Sequence, residues 1–218
     1  MRGKFITFEG GEGSGKSTQV RHLGEHLGAL GRTMVTTREP GGTPFAERVR
    51  GFLFETRKPD GVPLAEALLF NAARADHLDT LIRPALARGD WVICDRFMDS
   101  TRAYQGAGSA LVSGDIDQLE ALVVGETRPD LTLILDLDPG LGLERARARQ
   151  AADTPAMLER DPFEARTLAF HQRLRQGFLA IAAREPQRCA VIDATQSPDA
   201  IAADIRTLVA TRLGSGAG

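Results

Sequence analysis

Apolar and polar positions follow two regular patterns that alternate along the chain. Five short runs rich in Val, Ile, Leu and Phe are typical of buried strands. The segments between them carry apolar residues at helical spacing, as at Val20, Leu23, Leu27 and Leu30. This alternation predicts an α/β fold in three layers, a five-stranded parallel sheet with helices on both faces. The predicted strands are 4–9, 33–37, 91–95, 131–137 and 189–193.

Glycine-rich and polar segments follow four of these predicted strands. They read GGEGSGKST, TREPGGT, DRFMDST and LDPG, and each begins where a strand ends. Ligands of open α/β sheets bind outside the carboxyl ends of the strands. We therefore expect these four separate segments to converge on one ligand site.

Composition and charge narrow the class of protein. The 218 residues are 42% hydrophobic and 26% charged, which is ordinary for a globular chain, and we expect one domain over 1–213 with a flexible tail at 214–218. A net charge of -2 disfavours nucleic acid as a partner. No apolar stretch approaches the ~18 residues of a membrane span. Cys94 and Cys189 lie in apolar runs, so we expect reduced, buried thiols in a cytoplasmic protein without a membrane partner.

The first glycine-rich segment matches the phosphate-binding pattern G-x-x-x-x-G-K-[ST], between a predicted strand and an amphipathic helix. Its backbone N–H groups can surround a phosphate, Lys16 can reach the outer phosphates, and Ser17 can bind Mg²⁺. The alternative is a glycine-rich turn that caps a helix without a ligand. The residues expected to bind ATP are Gly10, Gly11, Glu12, Gly13, Ser14, Gly15, Lys16, Ser17 and Thr18.

A GTPase is disfavoured among proteins with this loop. Guanine recognition by N-K-x-D needs an asparagine, and the only one in the chain is Asn71, inside FNAAR. No D-x-x-G segment is present to sense a γ-phosphate. A phosphotransferase is therefore the better interpretation.

Five segments, GGEGSGKST, TREPGGT, LLFNAAR, DRFMDSTRAYQG and RPDLTLILDL, occur in this order between residues 5 and 195. In them the chain resembles the bacterial thymidylate kinases, a family of P-loop nucleoside monophosphate kinases. The resemblance implies a P-loop sandwich with a helical lid, transfer of a phosphoryl group from MgATP to dTMP to give dTDP on the way to dTTP, and a homodimer. A kinase for another nucleoside monophosphate or a deoxynucleoside, a regulatory ATPase and a silent nucleotide-binding module are the alternatives.

Two residues on one predicted helix are implied to recognise the base. Phe70 and Arg74 are four residues apart and share a helix face. By the resemblance, Phe70 stacks on thymine and Arg74 bonds a thymine carbonyl oxygen. Periodicity alone favours the alternative that Phe70 is a core residue and Arg74 a solvated charge.

The resemblance also assigns roles around the acceptor. Arg96 grips its phosphate with help from Arg50, and Asp95 orients a metal-bound water or the neighbouring arginine. Glu39 supports these cations or the metal site, and Glu12 turns to the 3′-hydroxyl. The residues implied to line the nucleoside pocket are Thr101, Tyr104, which excludes a ribose 2′-hydroxyl, and Gln105, which pairs with the base edge.

Arginines cluster after the fourth predicted strand, in a segment that the family uses as a lid, at about 142–161. Because the P-loop itself contains no arginine, the resemblance implies that the lid supplies the cation for the transition state. We expect Arg149 in that role, then Arg145, with Arg160 a weaker candidate. The alternative is a solvated basic helix face.

Overall fold

The computed structural model describes residues 2–56, 62–107, 113–152 and 166–214. The strands are β1 (Phe5–Gly10), β2 (Met34–Arg38), β3 (Trp91–Asp95), β4 (Leu131–Asp136) and β5 (Cys189–Asp193). The helices are α1 (Lys16–Ala29), α2 (Pro44–Thr56), α3 (Pro63–His77), α4 (Arg83–Arg88), α5 (Met98–Thr101), α6 (Ser113–Val123), α7 (Pro139–Ala152), α8 (Leu168–Arg184) and α9 (Pro198–Leu213). Two π-helical segments, Leu78–Ile82 and Arg102–Ala107, continue α3 and α5.

The five strands form one parallel sheet in the order β2-β3-β1-β4-β5. Phe8 of β1 lies between Asp95 of β3 and Leu133 of β4, so the carboxyl ends of the central strands lie side by side. The predicted five-stranded parallel α/β fold is confirmed. The predicted strand limits for β3 and β5 are also right, those for β1 and β2 are shifted by one residue at both ends, and that for β4 is one residue too long.

Helices cover both faces of the sheet because the strand side chains alternate between them. Ile6 and Phe8 point into a core formed with α1 and α9. Phe5, one residue earlier, points to the opposite face and packs in a second core with α4. Leu30 was predicted to continue the apolar face of the first helix, but α1 ends at Ala29 and Leu30 is 55% exposed.

Every helix within the described ranges is too short or too polar to cross a bilayer.

Candidate active site

A cavity of about 570 Å³ opens at the carboxyl ends of β1, β2 and β3. Its walls combine the glycine loop, the segment after β2 and the segment after β3 with side chains from α2, α3 and α7. Three of the four segments expected to converge therefore meet in it. The fourth, LDPG after β4, instead lies against the glycine loop, where Gly10 and Gly11 share a smaller cavity with Pro139.

The glycine loop connects β1 directly to α1. The backbone of this loop lies so close to α7 that position 13 must be glycine. Gly13 has a φ of 66°, and a Cβ there would collide with the Gly142 carbonyl of α7. A Cβ on Gly142 would in turn collide with the Glu12 carbonyl. The loop and the start of α7 are thus in backbone contact, and both positions require glycine.

The Lys16 ammonium is buried within the loop. Its Nζ donates to the carbonyl oxygens of Gly10 at 3.1 Å and Gly11 at 2.8 Å. Burial lowers the pKa of Lys16 from its usual value, and the positive charge of Arg96 lowers it further, while Glu12 acts in the opposite direction. A phosphate entering the loop would relieve this unfavourable burial of charge because it offers a negative counterpart.

A hydroxyl and a carboxylate face each other beside the loop. Ser17 Oγ donates to Asp95 Oδ2 at 2.7 Å, and both residues line the cavity. These are the hard oxygen donors that Mg²⁺ prefers, and Mg²⁺ commonly takes only one or two protein ligands beside phosphate oxygens and water. The described part of the chain has no group of three His, Cys, Asp or Glu suited to hold a metal.

Arg96 lies between the glycine loop and the rest of the cavity. Its φ is +70°, a strained backbone for a residue other than glycine, and its N–H donates to the Phe8 carbonyl at 2.9 Å. The guanidinium donates to Glu12 Oε1 at 2.8 Å and to the Gly10 carbonyl at 3.3 Å. The arginine is thus held at the edge of the phosphate loop, facing the cavity.

Glu12 joins Arg96 to Tyr104. The Tyr104 hydroxyl donates to Glu12 Oε1 at 2.5 Å, and the Arg96 guanidinium lies 5.1 Å from the centre of the Tyr104 ring. Burial opposes ionisation of Glu12, but Arg96 and Lys16 outweigh it and lower its pKa to about 2. Glu12 therefore carries a permanent negative charge at neutral pH and can offset the cations next to it.

The expected base-recognition pair lines the same cavity from α3. Phe70 is half-buried, whereas the Arg74 side chain is only 4% exposed, so the alternative of a solvated charge is wrong. Arg74 Nε donates to Glu39 Oε2 at 2.7 Å and Nη2 to the Phe97 carbonyl at 3.1 Å. Glu39 thus pairs with the arginine of the base-recognition pair, whereas the expectation was that it supports the arginines around the acceptor phosphate or the metal site.

The other expected pocket residues are placed as follows. Thr101 is buried and lines the cavity. Arg50 also lines it, donates to the Pro40 carbonyl at 3.0 Å and lies over the Phe54 ring. The side chain of Gln105 lies outside the described part of the structure.

The arginines of the expected lid differ in their surroundings. Arg149, near the end of α7, lines the cavity. Arg145 donates to the Ala194 carbonyl at 3.0 Å, at the end of β5, and is not among the residues that line the cavity. Arg160 and most of the expected lid from residue 153 lie outside the described residues.

Sequence reasoning missed two buried groups behind the cavity. Glu9 of β1 is fully buried and accepts from the Phe97 and Ser100 N–H groups and from the Ser100 hydroxyl. His77, the last residue of α3, is fully buried against Glu39 and Thr37. A charged residue inside the apolar run FITFEG was a signal for Glu9. His77 offered none, because its partners are remote in sequence.

Comparisons with known proteins identify the family. The model of the thymidylate kinase family matches residues 8–205. Thymidylate kinase of Caulobacter vibrioides is 53% identical over 213 residues, which cover 98% of this chain and 99% of the relative. Thymidylate kinase of Nitrobacter winogradskyi is 51% identical over 205 residues, which cover 94% of this chain and 87% of the relative. The crystal structure of thymidylate kinase from Ehrlichia chaffeensis superposes with a TM-score of 0.77 at 34% identity, covering 96% of this chain and all of the other. The chain belongs to the thymidylate kinase family.

Proposed function

We propose that the protein transfers the γ-phosphoryl group of MgATP to the 5′-phosphate of dTMP, which yields ADP and dTDP for dTTP synthesis. Family membership makes the chain a dTMP-phosphorylating enzyme. The observation that supports the finer assignment is that one cavity is lined both by Lys16 of the phosphate loop and by Phe70 and Arg74 of α3. Two nucleotides can therefore bind with their phosphates facing each other.

The residues suited to hold magnesium are Ser17 and Asp95. The Ser17 hydroxyl is the P-loop position that binds the ion directly, and Asp95, 2.7 Å from it, can accept a hydrogen bond from a water on the ion. The ion supplies neutralisation of charge on the donor phosphates. Asp95 also keeps the Ser17 hydroxyl oriented toward the cavity.

Lys16 and Arg96 are the proposed cations around the transferred group. The attacking oxygen belongs to a phosphate whose second pKa is roughly 6, so it is largely ionised at neutral pH and needs no strong general base. Catalysis then consists of alignment and charge neutralisation. Glu12 limits how far the Arg96 guanidinium can turn, because it holds one edge of it at 2.8 Å.

Arg149 is the proposed lid cation, ahead of Arg145. Arg149 lines the cavity, and Arg145 donates to the Ala194 carbonyl. In this proposal the lid, about 142–161 of a single domain at 1–213, closes over ATP and excludes water that would otherwise accept the phosphoryl group.

We propose a homodimer formed through α2, α3 and α6. α3 packs against both other helices. Large apolar side chains are exposed on these three helices and at the residue before α3, and such a group of exposed apolar residues is typical of an interaction surface: Phe45, Phe52, Val62, Leu64, Leu68 and Leu122.

We place the enzyme in the cytoplasm. Cys94 and Cys189 are free, buried thiols, as is usual in a reducing compartment.

Measuring ADP formation with a panel of acceptors tests the reaction. We expect dTMP to give the highest kcat/KM among dTMP, dUMP, CMP, AMP and thymidine, with ADP and dTDP formed in equal amounts. A higher kcat/KM for another monophosphate or for thymidine would show that dTMP is not the preferred acceptor and would overturn the proposal. ADP formation that is unchanged by added dTMP would indicate an ATPase that transfers to water.

A further inference from the structure

We infer that His77 is a positioning residue for base recognition, which acts on the nucleotide only through Glu39 and Arg74. Three buried side chains in contact form a chain from the sheet to the cavity: His77 Nδ1 lies 3.1 Å from Glu39 Oε1, and Glu39 Oε2 lies 2.7 Å from Arg74 Nε. The inference rests on the proposed function in one respect, namely that Arg74 contacts the base.

Arg74 is held on several sides before any nucleotide binds. Besides Glu39 and the Phe97 carbonyl, its Nη1 donates to Asn71 Oδ1 at 3.4 Å, and its guanidinium lies 5.2 Å from the centre of the Phe97 ring. The guanidinium carries five N–H groups in a planar fork. The three hydrogen bonds use one N–H each of Nε, Nη1 and Nη2 and fix the plane of that fork. Because Arg74 lines the cavity, the second N–H groups of Nη1 and Nη2 are the donors left for a base bound there.

The orientation of this fork depends on the plane of the Glu39 carboxylate. Each carboxylate oxygen has one buried side-chain partner, Arg74 on Oε2 and His77 on Oε1. With only the Arg74 partner, the carboxylate could rotate about its terminal bond and carry the guanidinium with it. The His77 contact removes that freedom, so the histidine controls the direction of the Arg74 side chain without touching the cavity.

The hydrogen bonds define which ring nitrogen of His77 carries hydrogen. A carboxylate can only accept, so Nδ1 donates to Glu39. Nε2 lies 2.8 Å from Thr37 Oγ1, whose hydroxyl donates to it when the imidazole is neutral. Both nitrogens are therefore used, and the ring is anchored to a residue of β2.

The surrounding backbone holds His77 in place. Gly42 has a φ of +87°, and a Cβ there would lie 2.6 Å from His77 Nε2 and would also collide with Thr37 Oγ1. The TREPGGT segment thus passes directly over the imidazole. The Glu39 N–H donates to the Asp95 carbonyl at 2.9 Å, which fixes the segment to the end of β3. His77 thus connects the pair Glu39 and Arg74 to β2 at the edge of the sheet.

A comparison of four variants tests the inference. His77→Leu removes the donor to Glu39 with a side chain of similar size, and His77→Asn retains a donor near the Nδ1 position. Arg74→Ala and the double variant Arg74→Ala with His77→Leu test whether the effect passes through Arg74. The measurements are the dTMP dissociation constant by calorimetry, kcat, the KM for ATP and the melting temperature.

We expect His77→Leu to weaken dTMP binding about 5-fold to 10-fold, the range of one buried hydrogen bond, with the ATP KM within 2-fold. His77→Asn should restore most of the affinity. In the Arg74→Ala background, His77→Leu should change dTMP affinity less than 2-fold. If His77→Leu does not fold, Thr37→Val, which loosens only the imidazole, takes its place with an expected loss of about 2-fold to 4-fold.

Three outcomes would overturn the inference: unchanged dTMP affinity in His77→Leu, equal losses for dTMP and ATP, or an undiminished effect of His77→Leu when Arg74 is already absent. A lower melting temperature in both His77 variants without a change in dTMP affinity would make the histidine purely structural. Unchanged dTMP binding in Arg74→Ala would remove the base contact on which the inference rests. The proposed function fails separately, if the acceptor panel shows that dTMP is not the preferred acceptor.

Discussion

Glu9 illustrates how a single buried carboxyl group can organise the segment that follows β3 and carries Arg96. Its Oε1 accepts from the Phe97 and Ser100 N–H groups at the start of α5, and its Oε2 lies 2.6 Å from Ser100 Oγ. A protonated Glu9 satisfies the same partners, because Oε2–H can donate to the Ser100 hydroxyl. Burial, reinforced by the nearby Asp99, raises the pKa of Glu9 to about 8.

This raised pKa predicts a specific dependence of stability on pH. The unfolded chain loses the Glu9 proton near pH 4.5, whereas the folded protein keeps it until about pH 8. The free energy of unfolding should therefore fall as pH rises from 5 to 8, by up to about 1.4 kcal/mol per pH unit from this group. Glu9→Gln, which preserves the hydrogen bonds, should flatten this dependence in urea unfolding at pH 5, 6, 7 and 8.

Glu25→Gln is the matched control for this experiment. Glu25 lies on α1 with a 62% exposed side chain, so its removal should leave the pH dependence of the parent protein unchanged. Parallel stability profiles for the parent protein and Glu9→Gln would refute the assignment.

Arg74 carries the most direct prediction about substrate binding. Arg74→Ala should raise the KM for dTMP about 10-fold to 100-fold, the size of a hydrogen bond to a charged group, and change the KM for ATP less than 2-fold. Arg21→Ala, which removes an exposed arginine of α1, is the control and should change neither constant. Equal losses for the two substrates would exclude Arg74 from the base pocket.

At the scale of single residues, the residues that line the cavity were predicted well, whereas the buried residues that hold them in place were missed. Lys16 was identified from the phosphate-loop motif, and Arg96, Phe70 and Arg74 from the resemblance to a family, because periodicity alone favoured a core Phe70 and a solvated Arg74; all four line the cavity. Glu9 and His77 act through partners up to 91 positions away, as with Ser100 and Glu9. Such contacts depend on how strands and loops meet, which no local pattern encodes.

At the scale of elements, α7 is distinguished by its backbone contact with the phosphate loop. Gly142 near its beginning touches that loop, and Arg149 near its end lines the cavity. One helix therefore connects the phosphate loop to the proposed lid cation. The strand limits were predictable to within one residue because apolar runs end where the polar loops begin, whereas a π-helical continuation such as Leu78–Ile82 has no comparable signal.

The position of Arg149 predicts a loss of turnover with little loss of dTMP binding. Arg149→Ala should lower kcat at least about 100-fold, since a cation that stabilises transition-state charge can contribute 10³ or more, and should change dTMP affinity less than 2-fold. The rate of ADP formation gives kcat, and calorimetry with dTMP gives the dissociation constant.

Arg147→Ala is the control on the same helix, an exposed residue two positions away, and should retain full turnover. Unchanged kcat in Arg149→Ala would remove it from the reaction. A large loss in Arg145→Ala alone would transfer the role to that residue.

At the scale of the whole molecule, the sheet order brings the polar ends of three strands to one edge while two apolar cores fill its faces. This arrangement was predictable because buried parallel strands have a simple apolar signature. The exposed apolar surface of α2, α3 and α6 was not, since its residues are distributed over three helices that become neighbours only in the fold.

That surface predicts a concentration-dependent dimer. The parent protein should have twice the 23.5 kDa mass of the chain, about 47 kDa, in light scattering coupled to size exclusion. Leu122→Glu, at a side chain 82% exposed on α6, should shift it to the monomer mass because a buried charge disfavours association.

Leu30→Glu is the matched control, at another exposed leucine located after α1, and should leave the mass unchanged. A parent protein that is monomeric at all concentrations would refute the proposed dimer, and dissociation by both variants would exclude this surface as its specific cause.

The contact between Gly13 and Gly142 also limits how the enzyme can be altered. Because even a methyl group at either position would force the two backbones apart, alanine at Gly13 or Gly142 should displace the phosphate loop from the start of α7. Redesign of the loop must therefore leave this pair untouched and work from flanking positions.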